Sequence, residues 1–253
     1  MVIRSVLITG GGSGLGAALA IELARRGCRV LVTGRRTGAL EAVARQSTNI
    51  QALTADVTGA DDQAMLAKAF SKLPAPRAIF HGAGYFQIGK LDTLSIVDWQ
   101  RSFDTNVTAR WALSTKCEPH LKGGRVLFVG SDSGRNVRVG GAAYSVAQAA
   151  SETLRRSLQA EWADNDIAVA GFKPGLVDTD LVRGFLSLSD QDFPARPEFQ
   201  DYIDRGECST PDTIAAFAAW LLLEVDGGRF RSTDWDIRDT GHHDEWLREP
   251  LYK

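Results

Sequence analysis

Among 253 residues there are only three cysteines, two methionines and four histidines, and the two signs of charge nearly cancel, with 29 Lys and Arg against 31 Asp and Glu. Each shortage excludes something. Cys28, Cys117 and Cys208 are odd in number and far apart, which fits neither a disulfide framework nor a metal knuckle and suits unpaired thiols in a reducing compartment. The expected location is therefore cytoplasmic. A formal net charge of −2 gives no excess basic field for a nucleic-acid backbone, so the expected partner is a small molecule and no nucleic acid. The longest later apolar run, Ile214 to Val225, is too short to cross a bilayer and reads as a buried helix; no membrane association is expected. The first apolar run leads into a glycine-rich turn, unlike the cleavage site of a signal peptide. No repeat or low-complexity segment interrupts the chain.

What is present is ordinary globular composition, 44% hydrophobic and 24% charged, with 25 glycines to serve tight turns. The length needs no more than one core, and the expected domain is 1–253. Short β-rich apolar runs at Val2–Thr9, Arg29–Thr33, Ile50–Ala55, Ala78–Phe80, Arg125–Val129 and Ile167–Phe172 read as strands, with a last one near Trp235–Arg238. Between them, Leu15–Arg26, Thr37–Arg45, Asp61–Leu73, Trp99–Leu121 and Ala142–Ala163 have helical spacing, and a later helix runs from Pro211 to about Val225 with Ser209 or Thr210 as N-cap. Near-continuous apolar strands joined by helical crossovers predict an α/β fold. Its doubly wound parallel sheet is flanked by helices on both faces, with ligand sites at the carboxyl ends of the strands.

The motifs fall where that fold needs them. Gly10-Gly11-Gly12-Ser13-Gly14-Leu15-Gly16 follows the first strand and opens the first helix. Glycines allow a sharp turn and close approach to a pyrophosphate, and the helix N-terminus offers free amide donors. About twenty residues on, where an NAD-binding protein commonly carries an acid for the ribose hydroxyls, the second strand ends in Gly34-Arg35-Arg36. Two guanidinium groups and no acid predict NADP(H) in preference to NAD(H), with one of the pair serving only to solvate a helix start.

The chain resembles the short-chain dehydrogenase/reductase family over almost its whole length. Thr9 to Gly16 is similar to the family's TGxxxGxG loop, Asp56-Val57 falls where the family contacts adenine, and His81-Gly82-Ala83-Gly84 is similar to its NNAG turn. Asn106, in Asp104-Thr105-Asn106-Val107, stands like the catalytic asparagine. Ser131 lies thirteen residues before Tyr144, the family's serine-to-tyrosine spacing, and Pro174-Gly175-Leu176-Val177-Asp178-Thr179 resembles the PGxVxT segment beside the nicotinamide. The resemblance implies a Rossmann-type NAD(P)-binding fold. In it Ser131 bonds the substrate carbonyl, Tyr144 gives the proton, Asn106 holds a water, and Gly10, Ser13, Gly14, Leu15, Gly16, Ala83, Gly84, Pro174, Gly175, Val177 and Thr179 contact the cofactor. It also implies a substrate lid at about 181–210 and a homodimer or homotetramer.

The main departure is Gln148, which stands where the family's YxxxK motif has lysine. Four residues apart on a helix, Tyr144 and Gln148 share one face. A glutamine amide can hold the nicotinamide ribose but cannot lower the tyrosine pKa. A unit charge about 5 Å away is worth roughly 3 kcal/mol at an effective dielectric of about 20, or about two pKa units. Reduction, which needs neutral Tyr144 as acid, survives that loss better than oxidation, which needs tyrosinate as base. Lys173, Arg135 and Arg138 are other cations nearby in sequence, each read as solvent-facing.

His81 is read as hydrogen-bonded within the strand layer rather than as a proton shuttle. Phe185, Leu186, Leu188, Phe193, Phe199 and Tyr202 in the lid segment either favour an apolar or aromatic carbonyl substrate or simply pack the lid down. His242 and His243, adjacent and without a spaced third partner, predict no metal site, and the tail 239–253 is expected to pack on the fold or a neighbouring subunit. Two readings of function stand: an NADPH-dependent oxidoreductase that reduces a carbonyl compound to an alcohol, and a nucleotide-binding sensor or partner-binding protein of the same fold with weakened catalysis. Proton-transfer chemistry without redox change is a third.

Overall fold

The residues Val2–Tyr252 are described by a computed structural model. Strand β1 (Ser5–Thr9) is buried along its whole length and pairs in parallel with β2 (Arg29–Gly34) on one side and β4 (Arg77–His81) on the other, with Val6 opposite Val30 and Ala78. With β3 (Ile50–Thr54), β5 (Arg125–Val129), β6 (Ala168–Lys173) and β7 (Trp235–Asp236), the order across the sheet is β3-β2-β1-β4-β5-β6-β7, all parallel. Because side chains alternate across a strand, Val6 and Ile8 face one layer and Leu7 the other. Helices α1 (Gly14–Arg25) and α2 (Thr37–Ala44) cover the first face. Helices α3 (Ala60–Ser71), α5 (Ala109–Cys117) and α6 (Ala142–Glu161) cover the second, and α4 (Ile96–Phe103) runs into α5. Beyond β6 come α7 (Asp180–Leu186), α8 (Arg196–Asp204), α9 (Pro211–Leu223), α10 (Gly227–Ser232) and α11 (His243–Trp246), with α9 packed beside α1. Each fully buried Val, Leu, Ile or Phe contributes roughly 1.5–3 kcal/mol, so both faces are strongly fastened.

The expected doubly wound parallel sheet is present, and the differences have local causes. The helix read over Trp99–Leu121 is broken by a π-helical turn at Asp104–Thr108, closed by the Ala109 N–H donating to the Asp104 carbonyl. That extra residue turns Asn106 inward, fully buried, where its carboxamide accepts from the Tyr85 N–H (3.1 Å) and donates to the Tyr85 carbonyl (2.8 Å). The last strand stops at Asp236 because its carboxylate accepts from the Arg238 N–H at 3.0 Å and folds the chain into a turn. The run Ile214 to Val225 is buried as α9. Thr210, not Ser209, caps that helix by accepting from the Thr213 N–H at 3.2 Å. No described helix is long and apolar enough to cross a membrane.

The segment 181–210, without a readable period, holds two short helices. Phe185, Phe193 and Phe199 interlock at centroid distances of 4.9 to 5.7 Å, and Phe86, from the loop after β4, joins them. The tail packs on the fold. His242 stacks on Phe217, its Nδ1 accepts from the Trp246 indole at 2.9 Å and its Nε2 meets the Asp236 carbonyl at 3.0 Å. Both ring nitrogens are thereby spent, and no group of potential metal ligands occurs among the described residues.

Candidate active site

The carboxyl ends of β1, β2, β4, β5 and β6 open into one cavity of about 600 Å³. At one end lies the loop from Gly10 to Gly16. Gly10 has φ +72°, and a side chain there would press within 2.9 Å of the backbone of Gly82 and Ala83; Gly14 has φ +50°. Only glycine fits the first position, because β1 and β4 approach so closely there. The first intrahelical bond of α1 runs from Ala17 to the Ser13 carbonyl, and the Ser13 side chain does not cap the helix. The N–H groups of Gly14, Leu15 and Gly16 therefore precede the ladder, and these three residues line the cavity, as the donor set for a pyrophosphate requires.

Beside that loop, Arg35 and Arg36 both line the cavity, and the Arg36 guanidinium donates to the Ser13 hydroxyl at 2.8 Å. Asp56 and Val57 form the adjoining wall. Partial burial alone would raise the Asp56 pKa, but two hydrogen bonds from Thr58 and the charges of Arg35 and Arg101 overcome this and hold it below the usual carboxylate value. Ala83, Gly84, Pro174, Gly175 (φ +66°), Val177 and Thr179 continue the wall toward the other end. Thr179 also caps α7 by accepting from the Val182 N–H at 3.4 Å.

At that other end Tyr144 and Gln148 project from one face of α6. The Ser131 and Gln148 side chains line the cavity beside the Tyr144 hydroxyl and favour its ionised form, and the Ser131 Oγ accepts from the Ser133 N–H at 3.2 Å. Phe86 meets the Tyr144 ring edge-on at 4.8 Å. Burial raises the Tyr144 pKa above its ordinary value; the Arg110 charge, Ser131 and Gln148 oppose this without reversing it. The phenol is thus protonated at neutral pH. Asn106 is the one sequence-predicted site residue that does not reach the cavity surface. Its side chain is spent on Tyr85 and on the Ser102 hydroxyl (3.3 Å), so it braces the loop that carries Tyr85 and Phe86.

His81 is buried beneath this end, its Nε2 2.8 Å from the Ser114 hydroxyl and its ring 4.8 Å from Phe128. Lys173 and Arg138, read as solvent-facing, are instead mostly buried and line the cavity, paired with Asp234 and Glu198, because those carboxylates draw them in; Arg135, which pairs with the same Asp234, is exposed as expected. The cation whose charge reaches Tyr144 is Arg110, on α5. Sequence reading missed it, although it stands four residues after Asn106, a spacing that places both on one side of a helix. Phe86 and Arg238 also line the site and carried no motif.

Residues 4–187 match the short chain dehydrogenase family. The chain belongs to that family. Its members are oxidoreductases that bind NAD(P) and act on small molecules. It is 29% identical over 190 residues to an uncharacterized oxidoreductase of Staphylococcus aureus, covering 72% of this chain and 81% of the relative. Versicolorin reductase 1 of Dothistroma septosporum is 27% identical over 256 residues, covering 90% and 96%. A putative NAD(P)-dependent gluconate 5-dehydrogenase from Beutenbergia cavernae, solved with bound NADP, superposes with a TM-score of 0.78 at 24% identity, covering 92% of this chain and 93% of that one; that likeness is one of fold.

Proposed function

We propose that this protein is a single-domain NADPH-dependent carbonyl reductase acting on a small apolar or aromatic carbonyl compound. The observation that carries the reading is that Tyr144 and Ser131 face the same cavity as the glycine loop and Arg35. When bound, the reduced nicotinamide supplies the hydride. The rest falls to this chain. The N–H groups of Gly14 to Gly16 would hold the pyrophosphate, and Arg35 would meet the 2′-phosphate as a charge-assisted donor, with Arg36, at the start of α2 and bonded to Ser13, beside it. Asp56 and Val57 flank the adenine, and the Gln148 amide holds the nicotinamide ribose. Ser131 donates to the substrate oxygen, and Tyr144 gives its proton to that oxygen as alkoxide character develops. Asn106 is a positioning residue: it fixes the loop that sets Phe86 against Tyr144.

Apolar substrates are favoured by Phe185, Phe199 and Tyr202, which line the cavity, while fully buried Phe193 anchors the lid to the core. A protonated Tyr144 and a glutamine in place of the family's lysine both favour reduction over oxidation. Gln148 also supports a second reading, a nucleotide sensor without turnover. The same proposal places the protein in the cytoplasm, in keeping with three unpaired thiols. It also makes the protein a homodimer or homotetramer, for which the half-exposed Trp111 on α5 and Val146 on α6 offer apolar contact.

The experiment is NADPH oxidation against a panel of aldehydes, ketones and diketones, beside Tyr144→Phe. Turnover that the variant loses supports the reductase. NADPH binding with no carbonyl reduced on any panel member favours the sensor, and substrate conversion without NADPH consumption points to proton-transfer chemistry.

A further inference from the structure

Arg110 is a buried charge with no acid to explain it. It is only 4% exposed, and among the described residues no carboxylate pairs with it. Its Nη1 donates to the Val129 carbonyl at 2.9 Å and to the Ser151 hydroxyl at 3.0 Å, Nη2 reaches the Ala83 carbonyl at 3.5 Å, and Nε has no partner. Taking an ion out of water without a counter-ion costs several kcal/mol, so a purely structural arginine here would be a poor choice beside a neutral donor. The burial pushes its pKa down to about 10, still charged at neutral pH.

Its position says what the charge serves. Tyr144, Gln148 and Ser151 fall at i, i+4 and i+7 on α6, one stripe of the helix. Arg110 grips the lower end of that stripe at Ser151 and lines the same cavity as Tyr144 at the upper end. Gln148 lies between them. Arg110, Ser131 and Gln148 act on Tyr144, and His81 from β4 lies within reach of the Arg110 charge, while Asp132, Arg138, Lys173 and Arg238 line the same cavity in ion pairs of their own. His81 is kept neutral, first by burial and then by Arg110 itself.

We propose that Arg110 is the cation of this active site, doing from α5 the electrostatic work that a lysine at position 148 would do from α6. It acts through Tyr144 as a positioning residue. The inference rests on the reductase reading for its chemistry. As the Tyr144 O–H bond breaks, the proton passes to the substrate oxygen and the electron pair stays on the phenol oxygen, where Arg110 stabilises it until solvent returns a proton. A neutral residue at 148 follows from this arrangement, since a lysine there would crowd a second cation into the same buried space.

The test is the ionisation midpoint of Tyr144, read as tyrosinate ultraviolet absorbance and isolated by subtracting the corresponding Tyr144→Phe protein. Arg110→Met and Arg110→Gln are expected to raise the midpoint by about one to two pH units. The glutamine variant keeps donors for Val129 and Ser151, so a merely structural role would leave its midpoint unmoved. Arg110→Lys is expected to restore the wild-type value. If neither neutral variant folds, the charge swap of Arg110→Gln with Gln148→Lys is expected to hold the midpoint near wild type. A midpoint unchanged in Arg110→Gln, or raised in the swap, overturns the proposal. The absorbance needs no turnover, so a protein that reduces no carbonyl yet shows the shift loses the reductase reading and keeps this one. With turnover, the pH profile of alcohol oxidation is expected to move by the same amount.

Discussion

The two ends of β5 each hold a buried arginine, and they are put to opposite uses. At the amino end, Arg125 donates to the carbonyls of Leu221 and Val225, in and just past the last turn of α9, and lies 4.8 Å over the Phe230 ring. A cation at a helix C-terminus meets the negative end of the macrodipole and satisfies carbonyls that have no partner of their own. At the carboxyl end, Arg110 takes the Val129 carbonyl, leaves Nε without a partner and turns toward the cavity. The first arginine's donors are engaged by backbone, and the second keeps field to spare where the glycine loop, Ser131 and Tyr144 converge. One strand thus shows how a parallel sheet divides its labour: the amino ends fasten the layers, and the carboxyl ends carry the chemistry.

The comparison breaks first at Tyr144. Under the reductase reading, Tyr144→Phe is expected to lower turnover by roughly 10²–10⁴-fold, the usual worth of a general acid. Its denaturation midpoint should stay close to wild type, because the ring still packs on Phe86. Steady-state NADPH oxidation and urea unfolding measured together check both halves. At the amino end the reverse is expected. Arg125→Met leaves the α9 carbonyls bare and is expected to lower stability by about 2–4 kcal/mol, with cofactor affinity of the folded protein unchanged. A loss of affinity at matched folded fraction would erase the division between the two ends.

How much of this was legible in the sequence follows the same division. Strand runs such as Ile50–Thr54 and Arg125–Val129, and the Gly10–Gly16 turn, were readable because backbone sterics and apolar periodicity act locally. That Tyr144, Ser131 and Gln148 meet at one cavity followed from the family resemblance, which fixed their places after β5 and on α6. The π turn at Asp104–Thr108 was not, because it exists to satisfy the backbone of Tyr85, nineteen positions before Asp104 in the sequence. Arg110 was not, because its burial depends on Val129 and Ser151 closing over it from two other elements. The helices of the 181–210 segment have no period because their apolar residues meet a ring from outside the segment, Phe86.

A smaller effect sharpens the contrast inside the cavity. Arg35→Ala is expected to weaken NADPH binding by about 1.5–3 kcal/mol, roughly 10–100-fold, and NADH binding far less, since a charge-assisted bond to a 2′-phosphate has no counterpart in NADH. Titration of cofactor fluorescence with both nucleotides measures it, and equal weakening would remove the 2′-phosphate argument.

The smallest effect is a pH dependence of stability at the carboxyl end of β4. Burial first, and the Arg110 charge second, place the His81 pKa well below 6.5 in the folded protein. The folded value is thus depressed below the unfolded one, so the unfolded chain takes up the proton first as pH falls. The stabilisation from a neutral His81 is complete above about pH 6.5 and is lost below it, with a slope of up to about 1.4 kcal/mol per pH unit. His242, also lowered by burial, adds its own share, whereas the lowered carboxylates Asp56 and Asp236 act only near their own, more acidic range. Replacing His81 with Asn keeps a hydrogen-bonding partner for Ser114 and removes the titration. Urea midpoints between about pH 7 and 5 are therefore expected to fall less steeply in His81→Asn than in wild type. In Arg110→Gln the onset should stay near pH 6.5, set by the unfolded chain, while the loss ends at a higher pH. If the slope persists in His81→Asn, the proton is going elsewhere, and the neutral histidine beneath the site is only packing.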